Sequence, residues 1–264
     1  MNKTFVMLSG IPRSGSSVLQ SMLNQHPSIY ASTTSPIIDM IEVLNNNWFN
    51  ISNALVERYP MQYPNMLAGL MDGAYKHIDK PVIIDKNRIW PRYGELLTDI
   101  LGQRPKIICT VRDIVEVMAS YIILINKNPD KITFIDQDLI DSNLPVNNKN
   151  RCKLLLEKYI NQPYTSLKIG CKSNYADLLI VDYDQIVNNS QNTIDRICDF
   201  IGIERIVVDL NNLQPMDEND AFHGGIDGLH TVRSVMKRTS PPATEIIGHE
   251  LVKYYSNMKL EFWK

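Results

Sequence analysis

Residues 5–27 read FVMLSGIPRSGSSVLQSMLNQHP. Gly10 and Gly15 stand in G-x-x-x-x-G spacing, and the hydroxyl residues Ser16 and Ser17 follow. That is nearly a nucleotide-binding phosphate loop, except that Ser16 occupies the place of the loop lysine. The cation has moved back to Arg13. Upstream, the apolar run TFVMLSG (4–10) predicts a buried strand. Downstream, Val18, Leu19, Met22 and Leu23 share one helical face, and the helix should stop near Asn24, ahead of His26-Pro27. The stretch therefore reads as strand, glycine turn, helix.

Working outward, three more apolar runs have the character of parallel strands: PVIID (81–85), KIICTV (106–111) and DLLIVDY (177–183). Helical patterns follow them at 93–101, 114–124 and 186–201. Strands alternating with helices predict an α/β fold: a parallel β-sheet flanked by helices, of the P-loop nucleotide-binding type. Right-handed crossovers place every strand's C-terminal end on one edge, where such sheets bind ligands. Residues 10–17, Lys86 and Arg112 all fall there. Two stretches break the alternation. Residues 37–78 read as a helical insertion containing Trp48, Phe49, Tyr59 and Tyr63. Residues 127–149 are Asn/Asp-rich and read as a long polar loop. Without a repeat or linker, residues 1–264 form a single domain with insertions.

A glycine turn at a helix start aims several N–H groups at one point, and the helix dipole adds roughly half a positive charge there. Phosphate or sulfate oxygens suit such a cradle. Ser14, Ser16 and Ser17 offer hydroxyls, and Arg13 offers a planar fork for bidentate contact. A plain strand–turn–helix needs Gly for its turn and Ser for a cap, but it does not need this density of hydroxyls around an arginine.

Composition narrows the partners. A net charge of −2 argues against a general nucleic-acid binder but leaves room for a local basic pocket. The cysteines Cys109, Cys152, Cys171 and Cys198 form neither a C-x-x-C pair nor a His-containing zinc pattern, so no metal site is expected. Nor do they suggest a disulfide framework. With no signal-peptide core and no membrane span in the sequence, a cytoplasmic protein is expected.

GIPRSGSSVLQSMLNQHP (10–27) resembles the 5′-phosphosulfate loop of sulfotransferases that use 3′-phosphoadenosine-5′-phosphosulfate (PAPS). The tyrosylprotein and Golgi-type branch is nearest, with Ser16-Ser17 replacing its Thr-Thr. The resemblance implies that Arg13, Ser14, Gly15, Ser16 and Ser17 hold the phosphosulfate. The family's second signature is an Arg after a central strand with a Ser eight residues on. ICTVRDIVEVMASYI supplies Arg112 and Ser120 at that spacing, implying a hold on the nucleotide's 3′-phosphate. Read without the resemblance, Arg112 is a surface cation pairing with Asp113 or Glu116. In VIIDKNRIWP, Lys86 matches the family's lysine near the bridging oxygen, where its ammonium stabilises charge on the leaving phosphate. LLIVDYDQIVNNSQNTIDRICDFIGI resembles the family's late strand and helix. In FHGGIDGLHTVRSVMKRTSPP (222–242), the family's nucleotide lid is loosely matched, which implies roles for Lys237 and Arg238.

The implied reaction is sulfuryl transfer from PAPS to an acceptor hydroxyl, with no metal required. A base must take the acceptor's proton. The tyrosylprotein branch uses a Glu shortly after His-Pro, and here Thr33 and Thr34 stand in that place. A small-molecule or saccharide acceptor is therefore expected rather than protein tyrosine. Candidate bases are Asp39, Glu42, His223 and His230, with His223 ranked first for its place in the lid and its suitable pKa range. Two other readings stay open: a P-loop kinase using ATP-Mg with Asp85 at the metal, and a non-catalytic relative that kept the nucleotide pocket.

Overall fold

β1 (Thr4–Gly10) is the middle strand of a five-stranded, all-parallel sheet of order β2-β3-β1-β4-β5. The other strands are β2 (Ile29–Thr34), β3 (Val82–Lys86), β4 (Lys106–Val111) and β5 (Asp177–Asp182). The computed structural model describes residues 3–51, 62–214, 226–232 and 241–264, without the side chains of Phe49 and Ile51. Side chains of β1 alternate between the two layers of core, as the two-residue strand period requires. Phe5 and Met7 pack into one layer, Val6 and Leu8 into the other. Burying a side chain such as Met7 or Leu8 is worth about 1.5–3 kcal/mol, so β1 anchors both layers.

The helices take opposite sides at β1. Helix α1 (Ser16–Leu23) lays Leu19, Met22 and Leu23 on the face shared by Val6 and Leu8. The helix after β4, Ile114–Asn126, lays Ile114, Met118 and Ile122 on the other face. Neighbouring strands whose outgoing helices diverge leave a crevice at their C-terminal ends, and this is where open α/β sheets take ligands. Both the first loop and Arg112 flank it.

The chain fits this crossing through a close approach. Gly10 has φ +129°, and a Cβ there would lie 2.0 Å from the Thr110 carbonyl oxygen. The β1 exit is fixed on β4 by Ile11 N–H donating to Thr110 O at 2.9 Å. At the far end of α1, the Asn24 side chain pairs both backbone groups of Ala31, donating at 3.0 Å and accepting at 2.8 Å. His26 follows, buried, its Nδ1 accepting from Ser28 N–H and its Nε2 donating to Glu204 O, each at 3.0 Å.

Among the described residues of 37–78, α2 (Ile37–Ile51) and α3 (Gln62–Ala74) are helices. Trp48 stacks on Tyr63 with ring centroids 4.6 Å apart. Tyr59 lies outside the described residues. A 3₁₀ turn (Trp90–Tyr93) and α4 (Gly94–Leu101) follow β3, and α5 is Ile114–Asn126. The expected polar loop at 127–149 is corrected by α6 (Phe134–Asp141). Thr133 caps it by accepting from Asp136 N–H at 3.2 Å, and the Arg151 fork grips Asp136 at 2.7 and 2.9 Å. Next come α7 (Asn148–Leu154), a wide turn (Leu155–Ile160) and α8 (Asn161–Lys172). The single helix expected at 186–201 is two, α9 (Tyr183–Asn188) and α10 (Ser190–Ile201), with Asn189 bent to φ −134°, ψ 46° between them. Asp182 starts α9 through a capping box with Gln185. Two short C-terminal helices, α11 (Ala243–Ile247) and α12 (His249–Ser256), pack on α5. No described helix is long and apolar enough to cross a membrane.

Replacing Gly10 by Ala should lower unfolding stability by at least about 2 kcal/mol, because strain at positive φ adds to a backbone clash. Gly69 lies in α3 with nothing within 4 Å of an added Cβ, and Gly69→Ala should stabilise by up to about 1 kcal/mol. Urea unfolding of the two variants checks both signs.

Candidate functional site

The loop between β1 and α1 owes its shape to two positive-φ residues, Arg13 at 58° and Gly15 at 89°. Gly15 is the N-cap of α1, and no side chain caps that end. The first-turn N–H groups of α1 therefore face the crevice with the positive end of the helix dipole behind them. The first turn carries no acidic side chain to neutralise it.

A cavity of about 320 Å³ opens in front of this turn. Gly15, Ser16 and Ser17 form its floor, and Arg112 and Ser120 line it. Arg13 reaches across: its Nε donates to Ser120 Oγ at 3.3 Å, and Nη1 donates to the Leu229 carbonyl. Arg112 lies nearly buried beside it. Its Nη1 donates to the Arg13 carbonyl at 3.1 Å, Nη2 donates to Glu116 at 3.2 Å, and its guanidinium sits 4.2 Å from the Tyr183 ring centroid. The pairing with Glu116 is thus present, but inside the crevice wall rather than on open surface.

Sequence reasoning gave no site role to several lining residues: Arg88 and Lys127 bring two more cations, and Tyr183 adds a ring. Residues 227–231, inside the stretch read as a lid at 222–242, complete the wall. Lys127 had a readable signal, for it lies seven residues, two helical turns, beyond Ser120. Arg88 stood two residues past Lys86 in the same quoted run. Among the described residues, four lining cations (Arg13, Arg88, Arg112, Lys127) face one lining carboxylate, Asp227, which already pairs with Lys131 at 2.5 Å. Burial lowers the Arg13 pKa below its ordinary value; Tyr121 works against that shift, and Arg112 and Arg88 push further down. Gathering like charges here costs free energy that a bound anion would recover.

Some expected residues stand elsewhere. Ser14 is wholly buried, and its hydroxyl bonds the Thr110 carbonyl at 3.1 Å and Thr110 Oγ1 at 2.6 Å instead of lining the cavity. Lys86 ends β3, nearly buried, with its N–H donating to Ser32 Oγ at 3.1 Å, and it too is absent from the cavity lining. Beneath it the fully buried Asp85 accepts from Tyr75 OH at 2.5 Å and Trp90 Nε1 at 2.8 Å. Burial raises the Asp85 pKa, partly offset by those donors. His230 lines the cavity. His223, Lys237 and Arg238 lie outside the described residues. Among the described residues, no group of His, Cys, Asp and Glu could hold a metal ion.

A family model described as "Sulfotransferase family" matches residues 6–206. No curated protein matches the sequence. Solved structures share the fold. The sulfotransferase domain from the curacin biosynthetic pathway is 17% identical, covers 96% of this chain and 98% of its own, and has a TM-score of 0.51. The Alicyclobacillus acidocaldarius sulfotransferase is 14% identical over 99% and 95%, with a TM-score of 0.51. Mouse sulfotransferase SULT7A1, solved in complex with PAP, is 13% identical over 98% and 83%, with a TM-score of 0.55.

The geometry separates the serines of the loop. Ser14→Ala should cost about 1–3 kcal/mol of stability by leaving buried partners unmet. Ser16→Ala and Ser17→Ala, at half-buried cavity positions, should stay within about 0.5 kcal/mol of the parent. Thermal or urea unfolding distinguishes them.

Proposed function

The chain belongs to the sulfotransferase family, and we propose that it moves the sulfuryl group of 3′-phosphoadenosine-5′-phosphosulfate to the hydroxyl of a small-molecule or saccharide acceptor. The observation that carries this is the set of four cations gathered on a cavity whose floor is the uncapped N-terminus of α1. The cavity, at about 320 Å³, falls within the range of roughly 300–1,000 Å³ usual for small-ligand sites. Its donors are of the kind an anion needs: N–H groups, hydroxyls and guanidinium forks.

The residues divide the work by position. The N–H groups of Gly15, Ser16 and Ser17 and the Arg13 fork hold the 5′ end. Arg112 and Ser120, on β4's exit and α5, hold the 3′-phosphate. Tyr183 backs Arg112 and fixes its plane, as a ring face does for a guanidinium. Lys86, paired in register with Leu8 of β1 just ahead of the loop, is assigned in this reading to stabilise charge on the leaving-group oxygen, from behind the cavity lining. Transfer of this type asks the protein for positioning and charge stabilisation more than covalent work. The fold shared with the mouse enzyme, which was solved with PAP, supports the same donor here. The kinase reading required a loop lysine, and Ser16 occupies that place.

Arg112→Ala removes a charged donor pair and should weaken adenosine 3′,5′-bisphosphate binding by about 1.5–3 kcal/mol, roughly 10- to 150-fold. Calorimetric titration of both proteins measures it. An unchanged dissociation constant contradicts the assignment. Tight binding by the parent with no transfer to any hydroxyl acceptor would instead select the non-catalytic relative.

A further inference from the structure

The acceptor's proton needs a destination, and the structure offers a choice of carboxylates at the β3 end of the sheet edge. Asp85 is sealed: it is fully buried and accepts from Tyr75 and Trp90. Glu42 is occupied by the Tyr93 hydroxyl and faces Arg92 at 4.0 Å. His230 lines the nucleotide cavity among the groups assigned to the donor. Asp39 differs from all three. It lies in the first turn of α2 with an exposed side chain. Asn87, the residue after Lys86, donates Nδ2 to Asp39 Oδ2 at 3.0 Å and to the Ser35 carbonyl at 2.8 Å. Ser35 N–H donates in turn to the Lys86 carbonyl at 2.8 Å. Asp39 is thereby tied to the strand end that carries Lys86, with its carboxylate open to solvent.

Resting on the sulfotransferase reading above, we propose that Asp39 is the general base for the acceptor hydroxyl, held in place by Asn87. The acceptor oxygen forms a bond to sulfur as the bond between sulfur and the 5′-phosphate oxygen breaks. That bond's electron pair leaves with the phosphate, beside Lys86, and the acceptor's proton passes to the Asp39 carboxylate. Partial loss of solvent around the carboxylate raises the Asp39 pKa above the ordinary carboxylate value, the Asn87 hydrogen bond pulls part of it back, and Glu42 adds to the rise. A raised carboxylate is a stronger base near neutral pH. Besides Glu42, the titratable groups coupled to it are Asp85 and Tyr93. The same helix exposes Met40 and Val43 next to this carboxylate, which makes an aromatic alcohol a sensible probe.

The test uses the full chain, Asp39→Asn and Asp39→Glu. In protein labelled with ¹³C at aspartate carboxyls, the resonance missing from Asp39→Asn identifies Asp39. It should titrate above the ordinary aspartate value of about 3.9, and its midpoint should rise further on saturation with adenosine 3′,5′-bisphosphate. With radiolabelled PAPS and 2-naphthol, Asp39→Asn should transfer at least about 100-fold more slowly, and Asp39→Glu should recover part of the rate. Both variants should keep the parent's bisphosphate affinity within about twofold, since no donor contact is lost. A carboxyl that ignores the bisphosphate in a protein that binds it, or an Asp39→Asn enzyme with the parent's rate, overturns the role of Asp39 alone. A parent protein that fails to bind the bisphosphate overturns the sulfotransferase reading and this inference with it.

Discussion

The organising constraint is the concentration of like charge at one helix end. Arg13 and Arg112 are held against each other by a hydrogen bond from one to the other's backbone, and both lie beside the positive end of α1. A folded protein does not gather cations this way for stability, since each raises the cost of the others. The crowding is tolerated because rigid partners fix it. Ser120 and the Leu229 carbonyl accept from Arg13, and Glu116 and the Tyr183 face restrain Arg112. Such a site is preorganised for an anion, which gains strong charge-assisted hydrogen bonds without the protein reordering its side chains.

The sheet makes this arrangement possible. Helices α1 and α5 leave adjacent strands toward opposite layers, so the β1 and β4 exits open into a crevice instead of being covered. The approach of Gly10 to Thr110 brings the two exits together, and the buried Ser14–Thr110 hydroxyl pair locks them. The loop after β1 and Arg112 therefore belong to one mechanical unit, although about a hundred residues separate them in sequence. On the other side of β1, the Lys86 strand end rests on the Asp85–Tyr75–Trp90 cluster, which fixes it firmly relative to the loop.

Much of this was legible in the sequence because the relevant signals are local. A strand, a glycine turn and an amphipathic helix occupy a single window at 4–23, and the Arg112–Ser120 spacing is simply two helical turns. Four strands showed as apolar runs. β2 did not, because IYASTT at the sheet edge carries hydroxyls on a partly exposed face. α6 was hidden among Asn and Asp residues. Its apolar side rests on Ile135 and Leu139, and a Thr cap and an arginine clamp supply the rest. Ser14 was read as a ligand donor since sequence spacing cannot show that its hydroxyl turns inward. Arg88 joins the site only through tertiary packing, which no local pattern encodes, whereas residues 227–231 fall inside the stretch read as a nucleotide lid.

Thermal unfolding of the full chain with adenosine 3′,5′-bisphosphate, set against adenosine 5′-monophosphate at equal concentration, tests the central claim most directly. Ligand that binds only the folded state raises Tm with its affinity. A cavity built to hold charge at both ends of the ribose predicts a clear rise with the bisphosphate and a much smaller one with the monophosphate. Equal shifts, or none at millimolar ligand, would contradict the account.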